Sequence, residues 1–239
     1  MKNFFVANWK MYLTFKEELD FVKTNLKELN DFGNENNIIL SPSFISIHEV
    51  HKLLKNSNIN LAAQNCSDKE IGPYTGEISA ESIKQSGAAF CIVGHSENRK
   101  YFNETDEIIA SKIQNLITKE MIPILCIGET EKEYKSDKTV QTLKRQLNLI
   151  IQITNFQKII IAYEPIWSIG TGVIPKIDHL DEIIQIIKEV IKEEIPVLYG
   201  GSINSKNIDE FKKSKEISGF LIGKASTDFQ EFKKIVKSY

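Results

Sequence analysis

The sequence predicts a protein of the α/β class, and within it a single-domain closed barrel of eight strand–helix units, (β/α)8. Eight short apolar runs rich in β-branched residues alternate with longer stretches whose apolar residues recur at helical spacing. The short runs are apolar in succession, as expected of strands buried on both faces of a parallel sheet. The chain has 239 residues, which is the length that one such barrel requires.

The predicted strands leave room for a helix between each pair of neighbours. They span residues 4–8, 37–41, 59–65, 89–94, 122–128, 158–163, 195–200 and 219–223. In the same order their sequences read FFVAN, NIILS, INLAAQN, AFCIVG, IPILCIG, KIIIAY, IPVLYG and GFLIG.

Helical spacing is clearest in residues 16–32. There, steps of three and four residues place four apolar side chains on one face, namely Leu19, Val22, Leu26 and Leu29. Further helical patterns cover residues 46–55, 79–86, 105–120, 138–154, 179–194, 205–214 and 228–238. Strand and helix therefore alternate throughout the chain.

An open, doubly wound sheet is the structural alternative to the barrel. It is disfavoured because no G-x-G-x-x-G follows the first strand, and the GTG at 170–172 follows the sixth. No linker or shift in composition divides the chain, so residues 1–239 are predicted to form one catalytic domain. Two long connections, 65–78 and 164–178, are expected to carry function.

Composition argues against several classes of protein. A net charge of −2 without a basic stripe disfavours nucleic-acid binding. No apolar run has the length of a signal-peptide core or a membrane span, so we expect a cytoplasmic protein. The cysteines are three in number and widely spaced, and His48 and His51 have no evident third partner, so no disulfide or metal site is predicted.

Polar residues stand where the predicted strands end, and this is the edge at which barrels of this type carry their chemistry. Asn8 and Lys10 follow the first strand, His95 follows the fourth, and Glu164 follows the sixth. Taken singly, these residues do not require a functional explanation, since a lysine is usually a solvated surface residue and a buried glutamate is usually an ion-pair partner. Together at one rim, a base, an acid and a cation indicate a site for proton transfer.

Glycines follow the last two strands, in YGGS and IGKAS. Barrels of this type often bind a phosphate there through backbone N–H groups, although a plain tight turn would also explain one such glycine pair. A small phosphorylated substrate is therefore predicted.

Five motifs in this order closely resemble the triosephosphate isomerase family, over nearly the whole chain. They are NWKM (8–11), GHSE (94–97), IPILCIGET (122–130), YEPIWSIGTG (163–172) and LYGGS (198–202). The resemblance implies a TIM barrel and the interconversion of dihydroxyacetone phosphate and D-glyceraldehyde 3-phosphate through a cis-enediol(ate), in glycolysis and gluconeogenesis. It implies no metal and no organic cofactor.

The resemblance also implies a task for each polar residue. Glu164 is expected to be the general base, and His95 to polarise the substrate carbonyl. Lys10, with Asn8 beside it, is expected to bind the substrate and to stabilise its negative charge. Glu97 would hold Lys10 as an ion-pair partner, and the neighbouring Ser96 would also support the site.

By the same resemblance, the phosphate would be bound by the backbone of Gly170, by Ser202 and by Gly223 with Lys224. A lid would close over it and exclude water. The lid would consist of Pro165, Ile166, Trp167, Ser168, Ile169, Gly170, Thr171 and Gly172. Because a residue before proline avoids helical geometry, Glu164 is predicted to lie outside any helix.

A homodimer is implied as well, in which the tip of loop 65–78, near Thr75, enters the partner. The chain departs from the family pattern at Lys224, where a second glycine is commoner, and at Asn98, where many members carry arginine. It also has Val173 where lysine often follows IGTG. The first departure bears on the phosphate loop and the second on the interface.

Two other functions compete with the isomerase. A phosphate-binding aldolase or synthase on the same scaffold would share the glycine sites, but would not need Lys10, His95 and Glu164 together. A catalytically silent binding protein would keep the barrel and the phosphate site, yet here all three reactive side chains are present.

Overall fold

The computed structural model describes residues 2–148, 150–153 and 158–239. Eight parallel strands form a closed barrel in which each pairs with the next and the eighth pairs with the first. The strands are Phe4–Asn8 (β1), Asn37–Ser41 (β2), Asn60–Ala63 (β3), Phe90–Val93 (β4), Ile122–Ile127 (β5), Ile160–Tyr163 (β6), Val197–Tyr199 (β7) and Gly219–Ile222 (β8). The predicted fold is therefore confirmed.

Helices surround the barrel. The α-helices are Phe15–Glu35 (α1), Ile47–Leu54 (α2), Ala80–Gln85 (α3), Ser96–Tyr101 (α4), Asp106–Thr118 (α5), Glu131–Lys135 (α6), Thr139–Asn148 (α7), Ile177–Ile191 (α8) and Phe229–Ser238 (α9). Short 3₁₀ helices cover Phe44–Ser46, Ile166–Ser168, Ile208–Lys213 and Lys224–Thr227. Across the described ranges, no helix combines the length and the apolar character that crossing a membrane requires.

Two predicted helices differ from the structure. The pattern at 205–214 forms the 3₁₀ helix Ile208–Lys213 and no α-helix. The pattern at 138–154 corresponds to α7, and its positions 149 and 154 lie outside the described residues.

Local sequence fixes where α1 begins. Thr14 is the N-cap, and its hydroxyl accepts from the backbone N–H of Glu17 while the Glu17 carboxylate accepts from the N–H of Thr14 at 2.8 Å. This reciprocal pair satisfies two donors that a helix start would otherwise leave free. Val22 and Leu29 on the predicted face are buried against the barrel, and Leu19 and Leu26 pack at its margin.

The barrel encloses a core of its own, separate from the larger core between strands and helices. It consists of Val6, Ile39, Ala62, Phe90, Ile92, Ile124, Cys126, Ile160, Ala162, Leu198 and Leu221. Side chains alternate across a strand, so Asn8 and Glu164, two residues beyond Val6 and Ala162, continue these inward rows at the carboxyl end. The barrel interior is thus filled by apolar side chains along most of the strands and carries polar side chains at their carboxyl ends.

Candidate active site

Glu164 and His95 meet at the carboxyl end of the barrel. Glu164 follows β6 and His95 follows β4 after one glycine, and both side chains are buried. Nε2 of His95 lies 3.1 Å from Oε1 of Glu164. The backbone N–H of Ser96 donates to the other carboxylate oxygen, also at 3.1 Å. The structure therefore brings together the two groups that the sequence assigned to proton transfer.

Glycines make room for Glu164. A Cβ at position 128 would lie 1.8 Å from the Glu164 carbonyl oxygen, and one at position 200 would lie 2.9 Å from its Cγ. Both distances are too short for non-bonded atoms, so the position of Glu164 depends on Gly128 after β5 and on Gly200 after β7. The sequence motif GG therefore serves the carboxylate as well as any phosphate.

His95 is the N-cap residue of α4, and its Nδ1 accepts from the backbone N–H of Glu97 at 3.2 Å. A ring nitrogen that accepts carries no proton, so Nε2 carries the proton and directs it to Glu164. Burial lowers the pKa of His95, but the Glu164 carboxylate outweighs it and holds the pKa above its ordinary value. Burial alone would raise the pKa of Glu164. His95 and the Ser96 N–H favour the charged carboxylate more strongly, so its pKa lies below the ordinary value.

Lys10 adopts a backbone conformation that is rare for a non-glycine residue, with φ at 50°. Its N–H donates to Oδ1 of Asn8 at 3.1 Å, and its Nζ lies 2.7 Å from Oε1 of Glu97. Its carbonyl accepts from the Gln64 amide at 2.8 Å, and the same amide donates to the Ser41 carbonyl at 3.0 Å. Gln64 was not singled out from the sequence, where it lies inside the predicted strand 59–65.

The groups expected to bind phosphate lie on two loops. Oγ of Ser202 accepts from the N–H groups of Gly170 at 3.0 Å and Gly172 at 3.3 Å. A Cβ on Gly223 would lie 3.8 Å from Nζ of Lys10, so this loop faces the lysine. Lys224 begins a 3₁₀ helix and its φ stays outside the left-handed region, so its backbone has no need of a glycine.

The lid segment is ordered at its start and exposed at its tip. Ile166–Ser168 forms a 3₁₀ turn, whereas Gly170 and Gly172 are exposed with positive φ. The indole Nε1 of Trp167 donates to Oε1 of Glu129 at 2.7 Å. Burial raises the pKa of the Glu129 carboxyl, against the hydrogen bond from Trp167. Glu129 lies within the quoted motif IPILCIGET but received no predicted task.

Loop 65–78 projects from the barrel, and Thr75 lies within its exposed stretch, residues 69–77. At the root of the loop, Asn65 Nδ2 donates to Oε1 of Glu104 at 2.9 Å, and Lys112 pairs with the same carboxylate. Within the described part of the chain, Oε2 of Glu104 is buried with no hydrogen-bond partner. Asn98, the departure from the family pattern, accepts from the backbone N–H of Phe102 in the adjoining turn, through its carbonyl at 3.0 Å.

No group of three or more His, Cys, Asp or Glu side chains is arranged to hold a metal ion among residues 2–148, 150–153 and 158–239. The three cysteines are buried free thiols.

A buried carboxylate against an imidazole, with an ammonium group beside them and N–H donors on the surrounding loops, defines a barrel enzyme that transfers protons. A sequence model of the triosephosphate isomerase family matches residues 3–239. The chain belongs to the triosephosphate isomerase family.

Relatives named triosephosphate isomerase match the chain over nearly its full length. The protein of Mesomycoplasma hyopneumoniae (strain 7448) is 39% identical over 246 residues, 99% of both chains. That of Dictyoglomus thermophilum is 41% identical and covers 97% of both chains. That of Thermodesulfovibrio yellowstonii is 41% identical and covers 99% of both. The predicted activity, isomerisation of triose phosphates in glycolysis, is thus confirmed at the level of the family.

Proposed function

We propose that this chain interconverts dihydroxyacetone phosphate and D-glyceraldehyde 3-phosphate through a cis-enediol(ate), with Glu164 as the base and His95 as the electrophile. The observation that carries the proposal is the buried contact of 3.1 Å between Nε2 of His95 and Oε1 of Glu164. Two groups this close can act on neighbouring atoms of one small substrate, the carboxylate on a carbon-bound proton and the imidazole on the carbonyl oxygen.

In the proposed reaction, Glu164 removes a proton from one substrate carbon and returns it to the neighbouring carbon. The C–H electron pair becomes the double bond of the enediol(ate), and the carbonyl electron pair moves to oxygen. His95 donates a proton from Nε2 to that oxygen and takes a proton back at Nε2 from the neighbouring hydroxyl, whose carbon becomes the new carbonyl. The Glu97 N–H keeps Nδ1 unprotonated throughout. The Lys10 ammonium, with Asn8 beside it, stabilises the negative charge that develops.

The phosphate of the substrate is proposed to bind at Gly170, Ser202 and the Gly223–Lys224 segment. Support comes from the Gly170 N–H and the Ser202 hydroxyl, which meet at 3.0 Å, and from Gly223, which faces Lys10. A lid over residues 165–172 would exclude water, which matters because a solvated enediol(ate) can lose its phosphate.

The proposal includes one catalytic domain over residues 1–239, a cytoplasmic location and a homodimer. Support for the dimer comes from large apolar side chains on the segments that follow four neighbouring strands, β1 to β4. Met11, Ile45, Ile71 and Phe102 are 95%, 72%, 93% and 74% exposed. Apolar groups concentrated in this way on one side of a surface mark an interaction site.

The test is a coupled assay with glyceraldehyde 3-phosphate on the native chain and on Glu164→Gln. Turnover in Glu164→Gln is expected to fall by several orders of magnitude because the base is lost, while binding of inorganic phosphate persists in calorimetry. Glu193→Gln, an exposed glutamate after α8, is the matched control and should keep full turnover. Near-native turnover in Glu164→Gln would refute the assigned base, and an inactive native chain would favour the silent binding protein.

A further inference from the structure

Tyr134, on the short helix α6, makes a contact with the lid that the reaction itself does not require. Its ring stacks on the indole of Trp167, with ring centroids 4.4 Å apart and an interplanar angle of 22°. Stacked aromatic pairs stabilise a contact beyond the apolar area that they bury. Tyr134 is 38% exposed, so its ring is no part of the central core.

Trp167 is therefore held in two different ways. The hydrogen bond from its Nε1 to Glu129, at 2.7 Å, fixes the direction of the ring edge. The stack on Tyr134 fixes the plane of the ring. The next residue, Ser168, is buried with its Oγ 3.2 Å from the hydroxyl of Tyr199.

Helix α6 is itself a well-anchored support. It begins four residues after the end of β5. Its cap is reciprocal: Thr130 N–H donates to Oε2 of Glu133 at 2.8 Å, and Glu133 N–H donates to Oγ1 of Thr130 at 3.2 Å. A capped turn so close to a barrel strand presents Tyr134 at a defined position.

We propose that Tyr134 is a positioning residue of the lid. It anchors the start of the lid, residues 165–168, so that movement is confined to residues 169–172 and the Gly170 N–H turns about a fixed point. The inference rests on the proposed function, in which that N–H group binds the substrate phosphate.

The experiment compares Tyr134→Leu with Tyr134→Phe, which keeps the ring, and with Lys132→Leu, an exposed position on the same helix. Tyr134→Leu is expected to raise the KM for glyceraldehyde 3-phosphate and the Kd for inorganic phosphate about two- to tenfold, the effect of losing one aromatic pair. Tyr134→Phe and Lys132→Leu should leave both constants near native. Tyr134→Gln repeats the test with a polar side chain should the leucine variant fold poorly.

Iodide quenching of tryptophan fluorescence supplies a readout that overall stability does not move. Trp9 is fully buried, so iodide reaches Trp167 alone, and its quenching should rise in Tyr134→Leu but not in Tyr134→Phe. In a Trp167→Leu background, Tyr134→Leu should have no further effect, because the two residues act as one unit.

The inference is overturned if Tyr134→Leu matches Lys132→Leu in KM, Kd and quenching, or if its effect persists unchanged in the Trp167→Leu background. Failure of the proposed function is distinguishable, since it would show as full turnover in Glu164→Gln whatever the Tyr134 variants do.

Discussion

At the scale of single residues, the His95–Glu164 pair decides what the site can do. The carboxylate raises the pKa of His95, whereas the N–H of Glu97 bonded to Nδ1 requires that nitrogen to be unprotonated. The two effects no longer conflict once Glu164 turns toward the substrate carbon, because the carboxylate then leaves His95 and Nε2 is free to donate to the substrate oxygen. The imidazole can then act as a neutral donor, matched to an enediol(ate) oxygen.

Removal of the Glu164 charge should lower the pKa of His95, because burial remains and the group that opposes it is gone. NMR titration of the His95 ring nitrogens in native protein and Glu164→Gln measures this directly. An unchanged or higher pKa in the variant would contradict the pairing.

The same pair predicts how stability depends on pH. The raised pKa of His95 adds stability that is present below its ordinary value of 6.5 and is lost as pH rises through the folded pKa. The lowered pKa of Glu164 adds stability that is present above 4.5 and is lost as pH falls through the folded pKa. Native protein should therefore exceed Glu164→Gln in unfolding free energy most between pH 4.5 and pH 6.5, as urea titrations at pH 5.5 and pH 8 would show.

Gly200 provides a test of how finely Glu164 is placed. In Gly200→Ala, the new Cβ would lie 2.9 Å from Cγ of Glu164, so the carboxylate must shift. A displacement of about 1 Å at a catalytic group costs on the order of 10²-fold in rate. Assays of kcat beside thermal melts should show a large loss of turnover in a folded protein, and unchanged kcat would contradict the close contact.

The sequence indicates Lys10, His95 and Glu164 because each lies within two residues of the end of an apolar run. The sequence does not indicate Gln64, because the run INLAAQN predicts a strand to residue 65, whereas β3 ends at Ala63 and leaves Gln64 at the strand end. The glycine contacts with Glu164 could not be predicted, because they join loops that are distant in sequence.

At the scale of elements, strands were predicted more closely than short helices. The pattern at 205–214 fails as an α-helix because side chains there bond to the backbone: Asn207 Oδ1 accepts from the N–H of Asn204, and Asn207 Nδ2 donates to the carbonyl of Ser202. Helix α6 was missed, being five residues long, although Thr130 and Glu133 form the T-x-x-E signature of a helix start.

The end of α8 offers a stabilising change. Lys192 caps the helix in the left-handed conformation, with φ 60° and ψ 26°, where a side chain is strained and glycine is not. Lys192→Gly should raise the unfolding free energy by about 0.5–1 kcal/mol in urea titrations. Lys55→Gly is the matched control, because Lys55 caps α2 with φ −49° and should lose stability instead. Destabilisation at both positions would contradict the argument.

At the scale of the whole molecule, exposed apolar side chains follow four neighbouring strands of the barrel, β1 to β4, and the projecting loop 65–78 is the one after β3. Glu104, at the root of that loop, keeps a buried oxygen with no partner among the residues that the structure describes. Asn98 lies beside it, since its backbone carbonyl accepts from the N–H of Glu104 at 3.4 Å. We therefore expect the departure at Asn98 to alter the contacts of the proposed interface.

Thr75→Arg should weaken the proposed homodimer, because it places a bulky charge at the tip of the inserted loop. Sedimentation velocity over a dilution series should show the variant dissociating at higher concentration than the native chain. Thr24→Arg, an exposed position on α1, is the control and should sediment as the native chain does. A native chain that is monomeric and fully active would contradict the interface.

The pairing of β1 with β8 has a consequence for biosynthesis. Gly219 lies so close to Phe4 that a Cβ there would stand 2.0 Å from the Phe4 carbonyl oxygen. The barrel therefore closes, between β1 and β8, through direct contact of the two backbones. On the ribosome, the first strand to emerge must wait for the last before its hydrogen-bonding edge is covered. A nascent or prematurely terminated chain therefore displays an uncapped sheet edge, and chaperones that bind such edges should engage it until translation is complete.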